Sequence, residues 1–380
     1  MFKEPIKCIL TIDLPSIRAN YRILSTIANQ AILGAVVKAN CYGLGATKIA
    51  TALQQEGCRN FFVATIDEAI ELQESLGNNI AVVSNKLVSK SSSTNIFVLS
   101  GVSNTDVKVF DQYKLIPVLN NLTQLQIWNQ LASNKNTKLP AILHFNTGMH
   151  RLGIPHEEIE IIQQNPNLLH GLELLYIMSH LSASTDADHL YNQQQLTKFK
   201  NYRQCFPEIK ASLANSSSIF LGSDYHYDLI RPGAALYGIN PTPRQPNPMQ
   251  HVVSLTAPII QLQSVLTGSA ISYDMTFITK RDTIIATLPI GYADGYPRAL
   301  SNRGKVYIAG HPAPVVGTIS MDLIVVDVTD IPSEHIFLGQ QVEIIGDYYT
   351  IDQLAEDAGT IAYEILTRLG KRYHRIYKTD

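Results

Sequence analysis

The 380-residue chain has only four cysteines, and none of them forms a Cys-X-X-Cys pair. This scarcity excludes a zinc ribbon, a thioredoxin-type motif and a disulfide framework. The first twenty residues lack the apolar segment and small-residue cleavage site of a secretory signal. No uncharged apolar run approaches the roughly 18–20 residues that a membrane span requires. We therefore expect a cytoplasmic protein with reduced thiols and no membrane partner.

Neither sign of charge dominates the sequence. It has 30 Lys and Arg against 32 Asp and Glu, a formal net charge of −2, and no basic block. Nucleic acid is therefore not expected as a partner. Hydrophobic residues make up 45% of the chain, which excludes disorder as the dominant state. The length predicts two or three domains, or one large barrel with a smaller unit.

Short apolar runs alternate with helical patterns over the first two-thirds of the chain. Eight candidate strands lie at 31–39, 60–65, 79–84, 114–119, 139–146, 172–179, 210–215 and 228–233. Helical patterns follow most of them, including 45–57, 66–77, 122–133 and 189–206. Eight such repeats over roughly 240 residues are typical of a TIM (β/α)8 barrel. Two alternatives stay open: NIFVLSG (95–101) as the third strand, and a doubly wound open sheet.

A segment dense in proline and polar residues, 241–250, predicts a linker. Short β-like runs with Gly, Pro and Asp turns follow it and predict an all-β domain. The tail at 361–377 includes a short helical pattern. We therefore predict an α/β fold with an N-terminal TIM (β/α)8 barrel over residues 1–243 and a C-terminal all-β domain over 244–380.

The ends of the barrel strands supply candidate functional residues, because TIM barrels place catalytic groups there. The residues that follow these strands are Lys38, Arg151, His180, Ser216 and Arg231. An apolar strand that delivers Lys38 beside a glycine-rich turn suits a desolvated amine for Schiff-base chemistry, although position alone favours a lysine that snorkels from the strand end. Ser216 and Gly233 follow the seventh and eighth strands, where barrels often hold a phosphate.

Other candidates have simpler interpretations. His180 alone is more often a packed histidine than a catalytic one. The acids of HLSASTDAD (180–188) have no histidine partner at i, i+4, so we predict no metal site. Asp294 and Asp322 lie near glycine turns and are expected to be turn and cap residues.

Seven motifs occur in one order and spacing: VVKANCYGLG, NTGMHRLG, LANS, IRPGAALYG, ISYDMTF, LPIGYADGYPR and GTISMD. Together they resemble the alanine racemases, fold-type III pyridoxal-phosphate enzymes, from about Leu10 to Arg375. The resemblance implies pyridoxal 5'-phosphate as cofactor, a homodimer with shared active sites, and racemisation of L- and D-alanine by two bases. It also implies a role in supplying D-alanine for bacterial peptidoglycan.

The resemblance also implies individual roles. Lys38 is similar to the lysine that forms the internal aldimine and serves as the base on one face of the substrate. Tyr273 is similar to the tyrosine that the partner subunit supplies as the base on the opposite face. Arg231 matches the residue that contacts the pyridine nitrogen, and His180 stacks near the cofactor ring. Positions aligned with cofactor-phosphate ligands are Tyr42, Ser216, Gly233, Ala234 and Tyr363. Arg151 and Met321 align with residues that contact the substrate, and Arg151 also aligns with a contact to the cofactor's phenolic oxygen. Tyr292 and Arg298 align with residues of the access corridor.

Elementary chemistry supports a two-base layout. Racemisation removes the α-proton from one face and returns one to the other, so two bases must flank a planar carbanion. Unperturbed lysine and tyrosine have pKa values near 10, so both need tuning towards neutrality. An arginine facing the pyridine nitrogen keeps that nitrogen unprotonated and disfavours transamination, which favours a racemase over a decarboxylase.

The sequence departs from the family pattern at several positions. Leu44 and Ser212 each replace a histidine, and Asp274 replaces a glycine. His144 stands where a modified lysine often supports the substrate-binding arginine, and Asn146 replaces an aspartate. The support of Arg151 must therefore differ, through a bound anion or through His144 itself.

Competing functions follow from the same motifs. One is another fold-type III activity, such as a decarboxylase, an aldolase or a dehydratase; the metal-dependent ones need a C-terminal His/Cys pair, and no cysteine follows Cys205. A carrier protein built on the barrel alone would stop near residue 240. A racemase specific for serine, or one of broad specificity, also stays open. Alanine is favoured because bulky Tyr292, Tyr363 and Met321 predict a small pocket.

Overall fold

A closed barrel of eight parallel strands occupies the first two-thirds of the computed structural model, which describes residues 7–77 and 94–379. In these residues the first barrel strand has two short parts, and the strands run Ile32–Leu33 with Ala35–Val36, Asn60–Val63, Asn95–Val98, Ile116–Leu119, Leu139–His144, Leu172–Met178, Ala211–Ser212 and Leu229–Ile230. Gly34 separates the two parts of the first strand. A Cβ there would lie 3.1 Å from the carbonyl oxygen of Asn60, so the close strand approach favours glycine.

Pairing between the last and first strands closes the barrel. Leu229 pairs with Ile32 in parallel register, and the backbone N–H of Arg231 donates to the carbonyl of Ala214 at 2.9 Å. The alternative of an open sheet is therefore wrong, and the predicted barrel is confirmed. Apolar side chains fill its interior, namely Phe62, Phe97, Ile116, Val118, Ile142, Tyr176, Met178 and Leu229.

Two strand predictions need correction. The third barrel strand is Asn95–Val98, as the alternative placed it, while the predicted strand at 79–84 lies outside the described residues. The strand predicted over 31–39 ends at Val36, and a tight turn begins at Lys38. The lysine therefore lies beyond the strand, at the carboxyl end of the barrel.

Helices surround the barrel, and each presents an apolar stripe to the strands. In the described ranges they are Leu14–Ala28, Ala46–Gln55, Ile66–Gly77, Val107–Tyr113, Leu122–Lys135, His156–Gln164 and Leu190–Gln204. Side-chain caps start several of them: for example, Asp13 accepts the N–H of Ser16 at 2.8 Å, and Asn121 accepts that of Gln124 at 2.9 Å. None of the helices in the described ranges is long and apolar enough to cross a membrane.

The C-terminal part forms the predicted β domain. Its largest sheet has the strand order His311–Pro314, Lys305–Ile308, Gln341–Ile345, Val253–Pro258, Ile9–Asp13 and His374–Lys378. The first strand of the chain, Ile9–Asp13, thus pairs with C-terminal strands on both sides. A second sheet contains Gln261–Val265, Thr283–Leu288 and Ile324–Asp327, and a small hairpin pairs Ala270–Ile271 with Phe277–Ile278. The domain boundary at 243/244 stays a prediction.

Two helices interrupt this β domain. Ala362–Arg368 lies in the tail where a helical pattern was expected, and Ile351–Asp357 was not expected. The latter begins with a capping box, in which Thr350 and Gln353 exchange hydrogen bonds. Helix Ala362–Arg368 packs near the barrel's carboxyl end, since the carbonyl of Leu366 would lie 2.6 Å from a Cβ placed on Gly43.

Candidate active site

A left-handed turn follows Lys38 at the carboxyl end of the first barrel strand. Ala39, Asn40 and Cys41 have φ near +50° and ψ between 46° and 53°, and Tyr42 has φ of +56°. L-residues in this conformation cost roughly 1–2 kcal/mol each, and asparagine tolerates it best. Strain of this kind is typical of functional sites, where surrounding structure enforces it.

Contacts from the C-terminal segment hold the end of this turn. Arg375 donates from its guanidinium to the carbonyl of Gly43 at 2.7 Å, and the Tyr377 hydroxyl donates to the carbonyl of Leu44 at 2.8 Å. Gly45 has φ of +110°, and a Cβ there would meet the Tyr377 hydroxyl oxygen. The two domains therefore cooperate in fixing the lysine turn.

The Lys38 amine is half-buried, and one cation, Arg151, and one anion, Glu68, act on it. Burial lowers its pKa from the ordinary value, the charge of Arg151 lowers it further, and Glu68 opposes both effects. Loss of hydration and a like charge both disfavour the ammonium form. The amine is therefore shifted in the direction that a base or a nucleophile needs.

Arg231 is buried at the centre of the site, with 4% of its surface exposed. Its guanidinium donates to the hydroxyl of Ser212, to the carbonyl of Ser179 at 2.6 Å and to that of Leu213 at 3.4 Å. All these acceptors are neutral, and no carboxylate pairs with Arg231 among the described residues. Burial lowers its pKa to about 9. A buried cation without an anionic partner is unfavourable by itself, so this position suits a ligand that supplies a lone pair.

A cradle of backbone and hydroxyl groups lies after the seventh and eighth strands. The Ser216 hydroxyl accepts the N–H of Gly233 at 3.0 Å and that of Ala235 at 3.2 Å. A Cβ on Gly233 would lie 2.4 Å from the Tyr42 hydroxyl oxygen. The Tyr42 ring lies 5.8 Å from the ring of Tyr363. The structure thus brings together the predicted phosphate ligands, with Ala234 between Gly233 and Ala235.

His144 has a defined tautomer. The Asn120 amide nitrogen donates to the carbonyls of Leu99 and Val118, so its oxygen must accept from Nδ1 of His144 at 2.8 Å. Nε2 then carries the lone pair. Burial lowers the pKa of His144 to about 3, with further contributions from Arg231 and then Arg151. His144 is therefore a neutral imidazole at ordinary pH.

Asn146 shapes the loop that carries Arg151. Its side-chain oxygen accepts the N–H groups of Gly148 at 3.0 Å and His150 at 3.1 Å. Asparagine at this position therefore caps the loop itself. In the described residues no hydrogen bond to the Arg151 guanidinium is found, and Arg151 influences Lys38, His144 and His180 through its charge.

A second network fixes the ends of the fifth and sixth strands. Ser179 donates to the carbonyl of Phe145 at 2.8 Å, so the Thr147 hydroxyl donates to Ser179 at 2.8 Å. Gln195 donates to Thr147 at 3.1 Å and to the carbonyl of His180 at 3.0 Å. Burial, followed by the charge of Arg231, lowers the pKa of His180 well below its usual value. His180 is thus a neutral ring, as a stacking role requires.

The remaining predicted residues lie on the C-terminal domain. Tyr273 has 68% of its surface exposed, and no hydrogen bond or ring contact joins it to the lysine turn in the described part of this chain. Met321 and Tyr292 lie on adjoining segments, since the N–H of Tyr292 donates to Ser320 and that of Ala293 to Met321. Arg298 begins a short 3-10 turn.

An ion pair braces the Tyr292 segment. Buried Asp294 accepts the N–H of Gly291 at 3.0 Å and two N–H groups of Arg372, which also pairs with Asp322 at 2.6 Å. Asp294 is therefore the turn residue expected from its glycine-rich setting, with an ion pair in addition.

Comparison with known proteins identifies the family. A family model for the alanine racemase N-terminal domain matches residues 12–241, and one for the C-terminal domain matches residues 252–377. The chain belongs to the alanine racemase family. Its expected identity as an isomerase of this family is thereby confirmed. A Rickettsia canadensis alanine racemase is 53% identical, over 97% of this chain and 99% of the relative.

Solved structures agree with this assignment. The fold superposes on a Bartonella henselae alanine racemase with covalently bound pyridoxal phosphate, with a TM-score of 0.92 and 43% identity over 98% of this chain and 100% of that one. A biosynthetic alanine racemase from Pseudomonas aeruginosa gives a TM-score of 0.87 and 30% identity over 99% and 100% of the two chains.

The residues present fit pyridoxal 5'-phosphate. Arg231 offers a buried cation without a carboxylate, the Gly233 cradle has no room for a Cβ beside Tyr42, and Lys38 is a half-buried amine. Arg231 suits the pyridine nitrogen of the cofactor, the Gly233 cradle suits its phosphate, and Lys38 suits its carbonyl carbon. Sequence analysis did not identify Glu68, Asn120 or Gln195, because nothing in their local pattern shows that they reach the site.

Proposed function

We propose that this protein interconverts L- and D-alanine with pyridoxal 5'-phosphate, using Lys38 and Tyr273 as the two bases. The observation that carries the proposal is Arg231, a buried guanidinium whose partners are all neutral. An arginine at the pyridine nitrogen disfavours protonation of that nitrogen, so the cofactor is a weaker electron sink than it is opposite a carboxylate. That arrangement favours proton return over transamination.

When bound, the cofactor withdraws electron density from the substrate's α-carbon. Lys38 would hold it covalently, and Ser216, Tyr42 and Gly233 would hold its phosphate. The Lys38 amine takes or returns the α-proton at its Nζ on one face, and its lowered pKa keeps part of it unprotonated. Arg151 would orient the substrate carboxylate, and the backbone of Met321 would contact the substrate.

The second base requires a homodimer. Tyr273 is exposed on its own chain and makes no described contact with the lysine turn. A two-fold dimer in which the Tyr273 segment of each subunit faces the barrel mouth of the other would give each Lys38 the Tyr273 of the partner subunit. The exposed Met275 beside it and Tyr292 supply apolar surface for that contact.

A cytoplasmic location and a role in supplying D-alanine for peptidoglycan are part of this proposal. All four cysteines are free thiols, which suits a reducing compartment.

The test is chiral product analysis with L-alanine and L-serine in the presence of cofactor. We expect equal final amounts of the two alanine enantiomers, with serine converted more slowly. Lys38→Ala should lose the cofactor that borohydride reduction otherwise fixes to the wild-type chain, as measured by peptide mass spectrometry. A reduced cofactor adduct retained in Lys38→Ala would remove this lysine from its role, and racemisation of serine alone would overturn the alanine assignment.

A further inference from the structure

Glu68 connects the lysine turn to the neighbouring barrel strand. One carboxylate oxygen, Oε1, accepts the N–H of Ala39 at 2.7 Å, and the other, Oε2, accepts the N–H of Ala64 at 2.8 Å. Ala39 directly follows Lys38 and is the first left-handed residue of the turn. Ala64 follows the second barrel strand, Asn60–Val63. One half-buried carboxylate therefore bridges two strand ends.

This contact exceeds what the local helix needs. Glu68 lies in a Thr65-X-X-Glu68 capping box, in which Thr65 and Glu68 each accept the other's N–H at 3.4 Å. Only Oε2 takes part in that box. Oε1 points across to the Ala39 N–H, so a capping role leaves this second bond unexplained.

Glu68 is also the acid in the surroundings of Lys38. Two described charged groups act on this lysine, Arg151 from the fifth strand's loop and Glu68, and the lysine in turn acts on His180 at the sixth strand's end. Arg151 and burial disfavour the ammonium, and His180 is neutral. Glu68 thus supplies the negative charge in this group.

We propose that Glu68 is a positioning residue for Lys38: its carboxylate fixes the start of the left-handed turn and sets the proton affinity of the lysine nitrogen. This inference rests on the proposed function, in which Lys38 holds the cofactor. A negative charge stabilises the protonated nitrogen, so its removal makes that nitrogen release its proton at lower pH. The restraint on Ala39 keeps the amine aimed at the site.

Glu68→Gln separates the charge from the cap, because glutamine also completes a capping box. The readout is the pH midpoint of the visible absorbance band of the bound cofactor, which follows protonation of the nitrogen that joins it to lysine. We expect Glu68→Gln to lower this midpoint by roughly 0.5–1 pH unit. The melting temperature should fall only by what one backbone hydrogen bond contributes, because the glutamine amide has one acceptor oxygen where the carboxylate has two. Glu68→Asp keeps the charge with a shorter reach and should give a smaller shift.

Glu71→Gln is the matched control. Glu71 lies one turn along the same helix and lines the same cavity of about 270 Å³, with Ala39, Asn40 and Glu68. The Glu71→Gln substitution removes an equal charge, but in the described residues no backbone N–H of the turn bonds to the Glu71 side chain. This control should leave the pH midpoint within about 0.2 pH unit of the wild-type value.

Two results would overturn the inference: an unchanged midpoint in Glu68→Gln, or an equal shift in Glu71→Gln, which would indicate a general field effect. Failure of the proposed function looks different, because Lys38→Ala would then retain a reducible covalent cofactor whatever the Glu68 variants do.

Discussion

Gly233→Ala tests whether the cradle after the eighth strand binds the cofactor phosphate. The added Cβ would lie 2.4 Å from the Tyr42 hydroxyl oxygen, whereas ordinary contacts begin near 3.4 Å, so the two groups must separate by about 1 Å. The φ of Gly233 is −127°, so the effect is one of space. The Tyr42 ring packs against the rings of Tyr237 at 4.9 Å and Tyr363 at 5.8 Å.

The expected magnitude follows from this clash. Overpacking of this size costs about 1–3 kcal/mol. Bound phosphate would fix the Tyr42 hydroxyl, whereas the ring can shift when the phosphate is absent, so most of the strain acts on the complex. Cofactor binding should therefore weaken by roughly 5- to 150-fold. The assay is titration of cofactor into cofactor-free protein, followed by absorbance.

A double-mutant cycle makes the test specific. Tyr42→Phe removes the clashing oxygen and leaves the ring carbon Cζ 3.1 Å from the new Cβ. In that background Gly233→Ala should cost less than half of its effect in the wild type. Gly77→Ala is the control, because a Cβ there meets nothing within 4 Å. Additive effects of the two cradle substitutions, or unchanged affinity in Gly233→Ala, would refute the steric argument.

Three further predictions concern the bases and the buried polar groups. Mixing inactive Lys38→Ala with inactive Tyr273→Phe should regenerate activity through heterodimers with one intact site, and no recovery despite proven subunit exchange would place Tyr273 in its own subunit's site. Ser212→Ala should lower the free energy of unfolding by about 1–3 kcal/mol in urea titrations, since Arg231 loses an acceptor, whereas Ser212→Thr retains it. The unfolded chain protonates His144 near pH 6.5 and the folded chain near pH 3, so stability falls as pH drops between these values. Between about pH 6.5 and 4.5, the urea midpoint of unfolding should therefore fall less steeply with pH in His144→Asn than in the wild type. Equal slopes in the two proteins would contradict a neutral His144 in the folded state.

The barrel was predictable from sequence because its strands are buried on both faces and appear as continuous apolar runs. The third strand was the exception: NIAVVS and NIFVLSG are equally apolar, and composition alone could not choose between them. The strand at 31–39 was predicted too long for a different reason. VVKANCYG has no local signal for four consecutive left-handed residues, because contacts from distant residues hold both ends of the turn: Glu68 at its start, and Arg375 and Tyr377 just after it.

The candidate site shows the same division. Residues at strand ends, such as Lys38 and Arg231, could be found from barrel geometry. Glu68 could not, because its T-X-X-E pattern is explained by a helix cap, and its second bond depends on how adjacent strands align. Asn120 fixes the tautomer of His144 from the neighbouring strand, and such a pairing across strands leaves no mark in either local sequence.

The charges at the barrel mouth explain why these residues belong together. Lys38, Arg151 and Arg231 are cationic, while burial and those same cations keep His144 and His180 neutral. A site of this composition is unfavourable until anions enter it, and both a cofactor phosphate and a substrate carboxylate are anions. Neutral histidines matter here because two more positive charges would lower the lysine's proton affinity further. In the proposed mechanism Lys38 both accepts and returns a proton, so its proton affinity has to be neither too high nor too low.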